Sequence, residues 1–157
     1  MSNLFTLGEA LSVARRIELA GEAFYGEALE RAVKPEAQEL FRFLRDQERV
    51  HYAVFSEMLR ATPEGEKPLD EQTSRFMDAA VRDHTLTTAE AAKGLAATGD
   101  TAALVEVALG FERETIRFFG KVKEVARGID RNRLERIIEE EHRHVERLEA
   151  YRKGLEA

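Results

Sequence analysis

Cysteine is absent from this 157-residue chain, and proline occurs only three times. The first absence excludes disulfides, thiolate metal sites and a thiol nucleophile. The scarcity of proline, beside 34% charged and 43% hydrophobic residues, fits amphipathic helices better than sheets. Positive charge is in deficit: the formal net charge is -6, which argues against nucleic acid as a partner, since binding phosphates requires a basic face. No stretch approaches membrane-spanning length, and the start Met1-Ser2-Asn3-Leu4-Phe5-Thr6 is not a basic segment leading into an apolar run. The expectation is a cytoplasmic protein without membrane contact. Its length suits a single domain over 1–157 with a sizeable core.

What the sequence does contain is acid where a core should be. Leu134, Ile137, Ile138, Val145 and Leu148 recur at the three/four spacing of one helix face, and the same stripe passes over Glu141 and His144. A second stripe, Phe41, Leu44, Phe55 and Met58, passes over Glu48 and His51. Residues three apart project from one side of a helix, and a carboxylate buried alone is too costly to keep. A metal ion resolves that cost. The competing pair Glu139 and His142 is two residues out of phase, about 200° around the helix, so the apolar stripe selects Glu141 and His144.

Two single glutamates complete the pattern. Glu18 lies on the seam Leu4, Leu7, Leu11, Ala14, Gly21, Tyr25, and Glu112 on the seam Val105, Ala108, Thr115, Phe119, Val122. Glu18 and Glu48 are 30 residues apart and Glu112 and Glu141 are 29 apart, so the chain reads as two copies of one helical hairpin. A Glu-x-x-His from each of two helices, with one Glu from each of two others, is the ligand set of di-iron carboxylate bundles. Four carboxylates and two neutral imidazoles are balanced by two divalent cations, and oxygen with imidazole suits iron or manganese. Ions bridged in this way sit about 3.5–4 Å apart. Tyr25 is placed to donate a hydrogen bond to the cluster, and Phe24, Phe55, Phe118 and Phe119 to wall it. His84 and His142 read as solvent-facing.

Thr6 is the expected cap of a first helix running to Val33 or Lys34, and Pro35 opens a second that reaches Ala61. Pro63 and Pro68 break the chain, and short helices are expected over 70–82 and 88–97. Gly99 and Asp100 introduce a third long helix, to Arg127, and Gly128 stops it before Asp130 caps the fourth. The fold class is all-α: a ferritin-like four-helix bundle of two antiparallel hairpins joined by a long crossover.

Taken together, Glu18-x-x-Gly21-x-x-Phe24-Tyr25, Glu48-x-x-His51, Glu112-x-x-Thr115-x-x-Phe118-Phe119 and Glu141-x-x-His144 resemble the rubrerythrin family, across residues 18 to 144. The resemblance implies two bound irons, with Glu48 and Glu141 bridging, Glu18 and Glu112 terminal, and His51 and His144 on one ion each. It implies reaction with hydrogen peroxide or dioxygen, and a homodimer. Apolar residues Phe5, Phe43, Val54 and Phe76 on outer helix faces point the same way. Rubrerythrins proper carry a four-cysteine rubredoxin module; with no cysteine here, electrons must come from an external donor such as a rubredoxin. The family's further glutamate three residues after the third-helix ligand is replaced by Thr115. The second reading is a helical bundle whose metals, zinc among them, serve structure or iron handling.

Overall fold

A computed structural model describes residues 5–62, 68–84 and 89–156. Leu4, the loop over 63–67 and the helix start at Thr88 lie outside the described residues. Among the described residues the helices are α1 (Leu7–Arg31), α2 (Pro35–Ala61), α3 (Glu71–Asp83), α4 (Ala89–Thr98), α5 (Thr101–Val125) and α6 (Gly128–Leu155). The four long ones are the pairs α1–α2 and α5–α6, with α1 also against α5 and α2 against α6.

Local rules set most boundaries. Thr6 Oγ1 accepts the Glu9 N–H at 3.0 Å, Asp70 Oδ1 accepts that of Thr73 at 2.8 Å, and Asp100 Oδ1 accepts that of Ala103 at 2.8 Å. Each satisfies a donor that the first helical turn leaves without a partner. Pro35 opens α2, where its missing N–H costs nothing. α1 stops at Arg31, earlier than expected, and Val33 stands 88% exposed in the corner. The second corner differs more. Gly128 is the first residue of α6 with φ 61°, Arg127 occupies the cap position without a side-chain bond, and Asp130 falls inside the first turn. A left-handed residue costs an L side chain about 1–2 kcal/mol and glycine little, so the chain reverses at Gly128 before Asp130 can cap.

The crossover is fastened to the bundle. Leu69 N–H donates to the Phe5 carbonyl at 2.5 Å, and Phe5 N–H donates to Ser74 Oγ at 2.6 Å, tying the start of the chain to α3. α3 then packs on α5 and α4 on α1. The core runs along the bundle axis, with Leu11, Ile17, Phe41, Leu44, Met58, Val105, Leu134 and Leu148 all nearly or fully buried. At mid-bundle it is interrupted by charge.

Candidate metal centre

Glu18 on α1, Glu48 and His51 on α2, Glu112 on α5, and Glu141 and His144 on α6 converge between the two hairpins. The glutamates are 0% exposed and the histidines 1%. Their candidate ligand atoms form two groups, Glu18, Glu48, His51, Glu141 and Glu48, Glu112, Glu141, His144, each within 4.8 Å. Glu48 and Glu141 belong to both groups, each offering two oxygens. Glu139 and His142 are exposed, as the stripe on α6 requires.

Burial together with crowding governs the electrostatics. Burial, then the nearness of Glu141, holds the Glu18 carboxyl well above the usual carboxylate range. Burial and Glu18 do the same to Glu48, and burial and Glu141 to Glu112. Glu141 goes the other way: burial opposes its charge, but the imidazoles of His144 and His51 hold its carboxyl well below the usual range. Burial likewise opposes charge on His51, yet Glu140 and Glu141 push it up to about 10. His144 is also raised, burial being outweighed by Glu112, Glu141 and Glu48. Four carboxyls crowded against two imidazoles can all ionise only when further positive charge is brought in, which is what bound cations supply.

The orphaned atoms agree. Both oxygens of Glu18 and Glu48, Oε2 of Glu112 and Glu141, and both ring nitrogens of His144 are buried without a hydrogen-bond partner. His144 Nδ1 stands 2.9 Å from Glu141 Oε2 but not in hydrogen-bond geometry. Buried polar atoms are otherwise almost always paired, so an orphaned cluster of this composition fits metal ions. Gly21 makes room for it: a Cβ there would lie 2.8 Å from Glu48 Oε2 and 3.0 Å from Phe111 Cζ.

The surroundings of the two histidines differ. His51 directs Nδ1 to Glu141 Oε1 at 2.9 Å and Nε2 to Glu140 Oε2 at 2.5 Å. A carboxylate on the outer nitrogen fixes the ring and its tautomer. His144 instead meets the edge of Phe43 at 6.0 Å between centroids, and Arg147 lies 3.8 Å over that ring. Tyr25 donates its hydroxyl to Glu112 Oε1 at 2.5 Å, and burial with Glu112 keeps that phenol protonated. Phe24, Phe55, Phe118 and Phe119 are buried, and Phe111, also buried, lies 3.0 Å from where a Cβ on Gly21 would sit beside Glu48.

Sequence reasoning missed two residues. Glu140 stands beside the seam, and nothing local marks it as the partner of a histidine 89 residues away. His84 was expected in solvent and is 4% exposed, its Nε2 3.1 Å from Thr115 Oγ1 and its ring 5.2 Å from that of Phe111. The packing of α3 on α5 places it there, and the periodicity of α3 alone does not show it. Phe5, Phe43 and Val54 pack against the core, and Phe76 carries Arg117 and Lys121 over its face at 5.5 and 4.8 Å.

The sequence model of the family described as Rubrerythrin matches residues 9–152. Among solved structures, a Thermotoga maritima protein described as a ferritin-like diiron-carboxylate protein superposes with a TM-score of 0.73 at 22% identity, covering 98% of each chain. That likeness is one of fold, and the fold is ferritin-like. No curated protein matches the chain. Among the described residues, no helix is long and apolar enough to cross a membrane.

Proposed function

The chain belongs to the rubrerythrin family, and on that footing we propose that it is a di-iron oxidoreductase reducing hydrogen peroxide or dioxygen. The observation that carries this reading is the pair of buried groups sharing Glu48 and Glu141. Glu18, Glu48, His51 and Glu141 would hold one iron, and Glu48, Glu112, Glu141 and His144 the other. When bound, the two irons supply the electrons and the Lewis acidity for the reaction.

The remaining work falls to the chain. Glu48 and Glu141, common to both groups, would hold the two ions next to each other. Tyr25 orients Glu112 through its 2.5 Å bond, which commits the phenol's single proton to that carboxylate. Phe24, Phe55, Phe118 and Phe119 exclude water. Glu140 holds the His51 ring, and Thr115 offers no carboxylate that could compete with it, so His51 would remain in place to hold metal whichever oxidation state it is in. No cysteine among the 157 residues can hold a donor iron, so electrons arrive from a separate protein such as a rubredoxin.

Stopped-flow mixing of the diferrous protein with each oxidant tests the reading. The expected result is near-ultraviolet absorption rising with at least one oxidant, then no further turnover without a reductase. Failure with both, in protein holding two metals, would leave the structural-metal reading. We also propose a homodimer, as the family resemblance implies; light scattering at micromolar concentration should give twice the 17.8 kDa chain mass.

A further inference from the structure

The centre is sealed, its glutamates 0% and its histidines 1% exposed. Reducing one hydrogen peroxide to two waters consumes two electrons and two protons. A bare proton does not cross an apolar wall, so groups that both give and accept one must link the centre to water.

A polar link of that kind enters from the crossover. His84 follows α3 and lines a pocket of about 80 Å³ with Phe76, Ala79, Ala80, Glu114 and Arg117. That is room enough for water. On its inner side His84 reaches Thr115 Oγ1 at 3.1 Å, with the ring held edge-on against Phe111. Thr115 is 0% exposed and lies one helical turn from Glu112 on the same face of α5. Pocket, imidazole, hydroxyl and ligand helix thus follow one another from the surface to the centre.

We propose that His84 and Thr115 are the proton entry to the metal centre, a role resting on the peroxide- or dioxygen-reducing reading above. A proton passes from His84 Nε2 to Thr115 Oγ1 while the Thr115 hydroxyl gives its own proton to the oxygen of the peroxide or dioxygen being reduced, which leaves as water. Water in the pocket then reprotonates the imidazole, so no charge is stranded on Thr115. Among the described residues lining the pocket, the charged groups beside His84 are Glu114 and Arg117 of α5, and Phe76, Ala79 and Ala80 of α3 form its apolar wall. A hydroxyl and an imidazole buried together are suited to this transfer, since each is both donor and acceptor.

The test is single-turnover oxidation of the iron-loaded, reduced protein by hydrogen peroxide, with iron counted first. His84→Ala and Thr115→Val should keep two irons yet react about 100-fold more slowly. Added imidazole should restore most of the rate of His84→Ala, and Thr115→Ser, which keeps the hydroxyl, should recover most of what Thr115→Val loses. Should His84→Ala not fold, His84→Gln fills the space without relaying a proton and should be slow in its place. The proposal is overturned if the His84 variant, with two irons, reacts at the wild-type rate between pH 5 and 9. It is equally overturned if imidazole restores nothing and Thr115→Val is normal. A wild-type protein that takes up two irons and ignores both oxidants sinks the functional reading itself, and this inference with it.

Discussion

Glu48 and Glu141 differ from the other two glutamates in belonging to both groups, and small neighbours decide whether they can serve. Gly21 is one such neighbour. In Gly21→Ala the new methyl meets Glu48 Oε2 at 2.8 Å. A carboxylate end swings aside cheaply, so the variant should fold, but with Glu48 displaced from both groups. Iron per chain, measured after anaerobic loading, should fall below two. Glu140 acts on a histidine instead, through its contact with His51 Nε2. Removing the carboxylate behind His51 should weaken iron binding by about 10–100-fold, read as a rightward shift in a ferrous titration of Glu140→Ala. An unshifted titration would make the 2.5 Å contact incidental. The six candidate ligands were legible because a carboxylate on an apolar stripe contradicts its surroundings. Glu140 and His84 contradict nothing locally; their partners lie 89 and 31 residues away, and only folding brings them close.

At the scale of the helices, punctuation was legible wherever one residue decides. Thr6, Pro35 and Asp100 act within a single turn and stand where local rules put them. Asp130 obeys the same rule but lost its place because Gly128 turns the chain two residues sooner. The packing of α3 on α5 and α4 on α1 was not legible, since an apolar stripe on a short helix, marked as it is on α3, says that it covers something but not which long helix it covers. Asp100→Ala should cost about 1 kcal/mol by loss of its bond to Ala103 N–H. Urea unfolding should show it as a lower midpoint at unchanged slope, with iron content unaffected. A loss of iron as well would mean that the start of α5 also positions Glu112.

For the whole molecule, the centre lies between two hairpins that otherwise meet along α1–α5 and α2–α6. Ions that bind only the folded chain stabilise it, each by about 2.7 kcal/mol at a hundred times its dissociation constant. Chelation should therefore lower the melting temperature by roughly 5–11 °C per ion for a chain of this size, and calorimetry with added ferrous iron should recover it. Equal melting with and without chelator would mean the bundle holds without its metals. The same arrangement orders events during synthesis. Residues 7 to 61 emerge first and carry Glu18, Glu48 and His51, but their fourth companion, Glu141, lies 90 residues beyond His51. At 5–20 residues per second, the ribosome needs roughly 5–18 s to make that stretch. Both groups need Glu141, so neither is complete on the nascent chain until α6 has left the tunnel, and the first hairpin must carry its buried acids without their companions until then.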